Sequence, residues 1–172
     1  MYRRGLGIPR NDETAAKWYR LAAEQGDASA QTSLGLMYRL GKGVPQDDKT
    51  AVKWYRLAAE QGDASAQTNL GQMYRLGKGV SQDNKTAVKW YRLAAEQGIA
   101  RAQTSLGVMY GFGLGVIKDY IYAHMWGNLG ASNGNEKGGK FRDFIAKKMT
   151  PDQIAEAKEL ARECVRKKYK GC

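Results

Sequence analysis

The sequence predicts an all-α protein: a right-handed α-solenoid of tandem 36-residue helix-turn-helix repeats that ends in a C-terminal capping helix. Two observations carry this prediction. Residues 15–50 and 51–86 differ at only five positions. A set of tryptophans recurs every 36 residues, at Trp18, Trp54, Trp90 and Trp126. Self-similarity with a period of this size is typical of repeat proteins, in which each unit buries its apolar face against its neighbours.

Each unit contains signals for two helices, which we call A and B. In the second unit Asp47 is a good N-cap for helix A, and Gly62 suits its C-terminal end. Asp63 then caps a helix B over 64–76, and the glycine-rich segment 77–80 turns the chain into the next unit. The A helices are predicted near 11–25, 48–61, 84–97 and 119–133, with about nine helices in all. Their N-cap column holds Asn11, Asp47, Asp83 and Asp119.

These signals divide the chain into segments. We assign 1–10 to the remnant of a preceding repeat, 11–46, 47–82 and 83–118 to repeats 1–3, 119–148 to a divergent repeat 4, and 149–172 to the capping helix and a basic tail. Met1-Tyr2 aligns with Met37-Tyr38, as if the chain opened at the end of a helix B. The chain would then be a piece of a longer protein, or translation would start inside a repeat. Such an open end predicts self-association through the N-terminal repeat.

The C-terminal segment has its own start signal. Thr150-Pro151-Asp152-Gln153 is a capping-box sequence with proline at the first helical position. The helix that follows, about 151–168, places a set of apolar side chains on one face, where they are expected to cover the last repeat: Ile154, Ala157, Ala161, Cys164 and Val165.

Helix A carries an unusually wide apolar surface, which predicts contacts on two sides. We expect the tryptophan column to form the core, with Trp54 buried between two repeats. The tyrosine column can pack its rings and still present its hydroxyl groups. A narrow polar wedge remains, formed in the first unit by Lys17, Arg20 and Glu24.

The pattern A-x-x-W-Y-x-x-A-A-E-x-G, followed by A-Q-x-x-L-G-x-M-Y and G-x-G-V, resembles the Sel-one-like repeat family, and bacterial members in particular. This family is related to the tetratricopeptide repeats. The resemblance is tight over 12–116, weakens in the fourth unit, and implies that A helices line a concave side that binds a peptide or protein surface. On this basis the candidate partner-binding residues are Lys17, Arg20, Glu24, Lys53, Arg56, Glu60, Lys89, Arg92, Glu96, Tyr19, Tyr55 and Tyr91. The alternative is a solvated face held by Arg–Glu pairs at i,i+4.

The formal net charge is +11, and residues 137–172 supply six of these charges, with eleven Lys or Arg against five Asp or Glu. The excess is compatible with simple solubility. The rival function is electrostatic binding of nucleic acid or an anionic membrane through this basic segment, although the sequence favours neither ligand over a protein partner. No signal peptide is visible, which fits a cytoplasmic location. A periplasmic location fits as well, because a leader would be lost with a truncated N-terminus.

Nothing in the sequence predicts an enzyme, a cofactor site or a metal site. The glycines of 111–115 recur as turn residues in every unit, so this segment is interpreted as a turn and not as a phosphate loop. His124 is the only histidine and is expected to be structural, satisfied by a partner or exposed. Cys164 and Cys172 are the only cysteines, and pairing them requires the tail to fold back. We therefore expect them to be unpaired, and the cysteine pair that some members of the family carry in each repeat is absent.

Overall fold

A computed structural model describes residues 11–172, so the predicted remnant at 1–10 lies outside the described residues. Within 11–172 the chain forms nine helices and no strand. The helices are α1 (Asp12–Glu24), α2 (Ala28–Leu40), α3 (Asp48–Glu60), α4 (Ala64–Leu76), α5 (Asn84–Ala95), α6 (Ala100–Phe112), α7 (Tyr120–Ser132), α8 (Glu136–Ala146) and α9 (Pro151–Arg166). The odd-numbered helices α1–α7 are A helices and the even-numbered ones are B helices. The predicted all-α solenoid is confirmed, and the handedness of the superhelix stays a prediction.

The predicted caps set the helix boundaries. The side chain of Asp47 accepts hydrogen bonds from the backbone N–H groups of Lys49 and Thr50 at 2.9 and 3.2 Å. Asn11, Asp83 and Asp119 do the same at the start of their A helices. At α9, Thr150 and Gln153 form the complete capping box. Helix boundaries therefore lie within a few residues of those predicted from the sequence.

The glycine-rich turns tie each repeat to itself. Gly79 has φ of +69°, and a Cβ atom there would overlap the carbonyl oxygen of Asp48 at the start of α3. The turn after helix B therefore packs against the first residue of helix A in the same repeat. Any larger residue would force the two apart.

The tyrosine column, and not the tryptophan column, fills the junctions between the first three repeats. Tyr55 of α3 is fully buried, and its ring lies against Gly35 of the preceding B helix, where a Cβ atom would be only 2.8 Å from the ring. Gly71 receives Tyr91 in the same way. The glycine on helix B leaves a hollow of the size of a tyrosine ring, and this determines which aromatic residue becomes core.

The prediction of a buried tryptophan column is therefore wrong for most of its members. Trp18 is 68% exposed, whereas Trp54 and Trp90 are half-buried and pack against the cluster of the preceding repeat. Only Trp126 is fully buried. In its repeat the tyrosine position is taken by Gly127, so the larger indole of its neighbour packs in the core instead.

Helix α9 packs against α7, the A helix of repeat 4. Its buried side chains, Ala157, Ala161 and Cys164, follow the helical spacing predicted for the capping face. Val165 was predicted on that face but is 50% exposed, because it lies at the margin of the contact. The helix thus covers the last repeat along its A helix.

The chain after α9 turns back, and Cys164 forms a disulfide with Cys172, contrary to the expectation from the sequence. Lys168 and Tyr169 both adopt left-handed backbone conformations, which reverse the chain direction. The Tyr169 hydroxyl then accepts a hydrogen bond from the side-chain amide of Asn133 at 3.2 Å. The tail thus makes the reversal that pairing requires, which was not expected from the sequence.

Candidate protein-binding face

One side of the first three A helices is exposed and carries the same residues in each repeat. We call it the A-helix face. It consists of Lys17, Arg20, Leu21 and Glu24 on α1, Lys53, Arg56, Leu57 and Glu60 on α3, and Lys89, Arg92, Leu93 and Glu96 on α5. All the predicted charged residues lie on it. Arg92 and Glu96 are half-buried, and the other charged members are exposed.

The leucines of this face were not among the residues predicted to bind a partner. Leu21, Leu57 and Leu93 are 50%, 46% and 46% exposed. As apolar residues of helix A, they belong to the wide apolar surface that was predicted to make contacts on two sides. A signal for their exposure was present, since each lies four residues after the lysine of the polar wedge and so borders the wedge one turn further along the helix. The face therefore carries, in each of the three repeats, one exposed leucine beside the charged side chains.

The arginines of the face donate to tyrosines of the B helices and not to the glutamates of their own helix. Arg20, Arg56 and Arg92 donate to the hydroxyl groups of Tyr38, Tyr74 and Tyr110 at 2.6, 2.8 and 2.5 Å. Within 11–172, no ion pair joins these arginines to the glutamates four residues later. The solvated-face interpretation with Arg–Glu pairs is thus wrong about the partners. The tyrosine hydroxyl orients each guanidinium while leaving most of its N–H donors available.

An open groove of about 520 Å³ lies on the face in repeat 3. Its lining combines three cations, one carboxylate and an apolar floor: Lys85, Lys89, Arg92, Glu96, Val88, Leu93 and Gly115. A smaller hollow of about 210 Å³ recurs at the same place in repeat 1, between α1 and the turn at Gly43. The face therefore offers concave, cationic sites with apolar floors.

Two of the three tyrosines predicted as partner-binding residues are not accessible. Tyr55 and Tyr91 are buried because each fills a junction between repeats, and Tyr19 alone, at 41%, is exposed. Burial raises the pKa of Tyr55 to about 12 and raises that of Tyr91 as well. We therefore correct the prediction for Tyr55 and Tyr91, which are core residues.

In repeat 4 the equivalent of the A-helix face is covered. Met125 and Leu129 of α7 are 1% and 2% exposed, and they belong to the same cluster as Ala161 and Cys164 of α9. Counting by the 36-residue period, the lysine, arginine and glutamate of the face become Met125, Asn128 and Ser132. Loss of the charges thus accompanies coverage by a helix.

The remaining candidates do not form a site for chemistry. His124 is buried, its pKa is lowered mainly by that burial, and its Nδ1 has no hydrogen-bond partner among residues 11–172. It was expected to be either satisfied by a partner or exposed, and its Nδ1 is neither. The 111–115 segment is a turn, with Gly113 ending α6 in a left-handed conformation. In the described part of the chain no cluster of His, Cys, Asp or Glu could hold a metal ion. Over the same residues no helix has the length and apolar character to cross a bilayer.

The basic C-terminal segment is partly neutralised by its own acidic residues. Arg162 and Arg166 both pair with Glu159, at 2.7 and 3.2 Å, and Lys167 pairs with Glu163 at 2.6 Å. These pairs leave the net excess of six charges in 137–172 unchanged, but they occupy Arg162, Arg166 and Lys167, which binding of nucleic acid or an anionic membrane would use.

Comparison with known proteins defines the class. The Sel1 repeat family matches residues 1–27, 28–63, 64–99 and 100–135, and the chain therefore belongs to this family. The matches that start at residues 28, 64 and 100 have the predicted period but begin at helix B, so the repeat boundaries given above stay a prediction. Comparison with curated proteins gives no match.

Among solved structures, the chain is similar to c5321, a protective antigen of uropathogenic Escherichia coli with an SLR fold, at 38% identity and a TM-score of 0.89. The match covers 97% of this chain and 37% of c5321, so the chain spans little more than a third of that protein. A Sel1 repeat protein of Oxalobacter formigenes is similar at 41% identity, with coverage of 74% and 96% and a TM-score of 0.66. The Helicobacter pylori cysteine rich protein B shares the fold at 21% identity, with coverage of 80% and 98% and a TM-score of 0.60.

Proposed function

We propose that this chain is a non-catalytic scaffold for protein–protein interactions, as Sel1-repeat proteins generally are, and that it binds a protein segment along the A-helix face of α1, α3 and α5. The observation that carries the proposal is the row of exposed leucines beside tyrosine-bonded arginines, repeated once in each repeat. A rigid array of this kind binds an extended surface through equivalent contacts on successive repeats.

The test is capture of partners by a photo-crosslinking residue placed at Leu57 or Leu93, followed by mass spectrometry. Cross-linked proteins are then compared between the wild type and the variant Arg56→Glu/Arg92→Glu. A matched control, Lys137→Glu/Lys140→Glu, makes the same change in net charge on exposed positions of α8. We expect the first variant to lose the partner and the control to keep it. Equal capture by all three proteins would refute the proposal, and nuclease-sensitive capture would favour nucleic acid instead.

We also propose that the N-terminal repeat associates with a second copy of the chain. Tyr19 occupies the column of Tyr55 and Tyr91 but is 41% exposed, and it lines a hollow of about 290 Å³ with Leu36, Met37 and Leu40. In repeats 2 and 3 a glycine of the preceding B helix covers this tyrosine. The same apolar surface on two copies is suited to a two-fold contact. Light scattering should show a dimer that Tyr19→Glu dissociates, and a monomer at all concentrations would exclude it.

A further inference from the structure

The partner of the A-helix face can be specified further from a contact within the molecule. We infer that the A-helix face of repeats 2 and 3 takes an amphipathic α-helix with acidic residues beside its apolar stripe, seated as α9 is seated on α7. This inference rests on the proposed function, because it names the class of partner that the same face would bind.

The contact between α9 and α7 shows what kind of helix can pack on the side of an A helix that corresponds to the A-helix face. The buried residues of α9, Ala157, Ala161 and Cys164, form a single stripe along the helix. Two of them, Ala161 and Cys164, belong to the same cluster as Met125 and Leu129 of α7. Small side chains on the incoming helix let its backbone come close, and the leucine of the A helix then becomes buried.

Repeats 2 and 3 retain the apolar half of this arrangement. Leu57 and Leu93 occupy the column of Leu129, yet 46% of each side chain remains exposed, compared with 2% for Leu129. The leucines are one repeat apart on parallel elements of the solenoid. An amphipathic helix that lies along α3 or α5 would cover the leucine of that helix, in the same way that α9 covers the leucine of repeat 4.

The charges differ between the two places, and the difference specifies the flanks of the partner. On α9, Lys158, Arg162 and Arg166 line one hollow together with the uncharged Asn128 and Ser132 of α7. In repeat 3 the column of Asn128 holds Arg92, with Lys85 and Lys89 beside it in the groove. A helix with the basic flank of α9 would be repelled there. A helix with Asp or Glu at those flank positions would face three cations and one glutamate.

The arginines of the face are already oriented to receive such carboxylates. Arg56 and Arg92 are each held by a tyrosine hydroxyl of the adjacent B helix. A guanidinium that is fixed before binding loses less rotamer freedom when it pairs with a carboxylate. The planar group also matches the two oxygens of Asp or Glu, so that a bidentate contact can form.

The test uses the 172-residue chain and three synthetic peptides based on residues 150–166. The acidic and the basic peptide carry Cys164→Ala and a hydrocarbon staple between the positions of Asp152 and Glu156, which keeps them helical. The acidic peptide has Lys158→Glu, Arg162→Glu and Arg166→Glu. The basic peptide instead has Glu159→Lys and Glu163→Lys. A third peptide has the composition of the acidic one in a scrambled order that destroys the apolar stripe.

Binding is followed by fluorescence anisotropy and by amide shifts in NMR spectra. We expect the acidic peptide to bind with a Kd of about 10–100 μM, at least about tenfold tighter than the basic or the scrambled peptide. The shifts should map to α3 and α5. Arg56→Glu/Arg92→Glu and Leu57→Ser/Leu93→Ser should each weaken binding about tenfold, whereas Lys137→Glu/Lys140→Glu should leave it within about twofold.

Several results would overturn the inference. The first is that the acidic peptide binds no more tightly than the basic or the scrambled peptide. The others are amide shifts confined to α8 or α9, and no binding of the acidic peptide at about 1 mM. The inference fails while the proposed function stands if photo-crosslinking at Leu57 or Leu93 captures a partner sensitive to Arg56→Glu/Arg92→Glu but the acidic peptide does not bind. The inference and the proposed function both fail if, in addition, the wild type and Arg56→Glu/Arg92→Glu capture the same proteins equally well.

Discussion

In repeats 3 and 4 the equivalent side of helix A lies in different surroundings. On α5 the column residues are Lys89, Arg92 and Leu93, and they are open to solvent or half-buried. On α7 the same columns hold Met125, Asn128 and Leu129, under α9. Leucine is common to both, but the charged residues are present only where no helix within 11–172 lies above. Whether this side of helix A is exposed or covered therefore correlates with the side chains around the leucine, and not with the leucine itself.

The hydrogen bond between helices A and B also changes direction between the two regions. In repeat 3, Arg92 of helix A donates to Tyr110 of helix B. In repeat 4, Arg142 of helix B donates to Asn128 of helix A at 3.1 Å. The bridge between the helices persists, but in repeat 4 the cation has moved off the A helix. The A helix of repeat 4 can then be covered without burying an arginine, which would be costly.

The largest effect that separates the two regions should come from the tryptophan column. Trp126→Ala should reduce the free energy of unfolding by about 3–5 kcal/mol, because it leaves a cavity in a fully buried site. Trp90→Ala removes a half-buried side chain and should cost about 1–2 kcal/mol. Chemical denaturation measures both. Equal losses would mean that the two tryptophans are buried to the same extent.

The leucine column should show a similar contrast at lower magnitude. Leu129→Ala should cost about 2–4 kcal/mol, whereas Leu93→Ala should cost less than about 1 kcal/mol because nearly half of the side chain is already in water. Urea denaturation curves give the two values under identical conditions. A loss from Leu93→Ala as large as that from Leu129→Ala would indicate that another surface already covers the A-helix face, such as a second copy of the chain.

The disulfide should matter for repeat 4 and not for repeat 3. Cys172→Ser opens the link between residues eight positions apart and should lower stability by about 2 kcal/mol. Because α9 covers α7, hydrogen exchange should increase at Met125 and Leu129 and stay unchanged at Leu93. A reducing agent added to the wild type should reproduce the result. Uniform exchange changes across all repeats would show that the tail supports the whole array.

The sequence predicted the elements of the fold well, since caps, glycines and the 36-residue period are local signals. The A helices end within two residues of the predicted positions, and the capping box of α9 is present. The choice between Trp54 and Tyr55 as core could not be made from helix A alone. It depends on Gly35 of the neighbouring helix, and therefore on how closely two repeats approach.

The candidate site was predicted in part, for a similar reason. The charged residues Arg56 and Arg92 lie on the face, but their tyrosine partners are 18 residues away on another helix. The expectation of pairs four residues apart on one helix therefore gave the wrong partners for these arginines. The pairing of Cys164 with Cys172 was missed because it depends on left-handed conformations at Lys168 and Tyr169, which are not glycines. Such positions are rare enough that sequence patterns do not predict them.

The smallest effect on stability, and the sharpest test of the comparison, should come from giving repeat 3 the side chains of repeat 4. The variant Lys89→Met/Arg92→Asn/Glu96→Ser makes the three charged columns of α5 match α7. Stability should change by less than about 1 kcal/mol, because these side chains are exposed or half-buried and exposed charges contribute little. The preference for the acidic peptide over the basic one should fall from about tenfold to about threefold.

The preference should fall and not vanish, because Lys53 and Arg56 of α3 remain. Anisotropy titrations of both peptides against the variant, with Lys137→Met as a control on α8, measure the change. If charge alone keeps α5 free of a basic helix, the variant should bind the basic peptide more tightly than the wild type does. An unchanged preference would show that the selectivity of the face lies in α3, or that the lost charges of repeat 4 have no part in its coverage by α9.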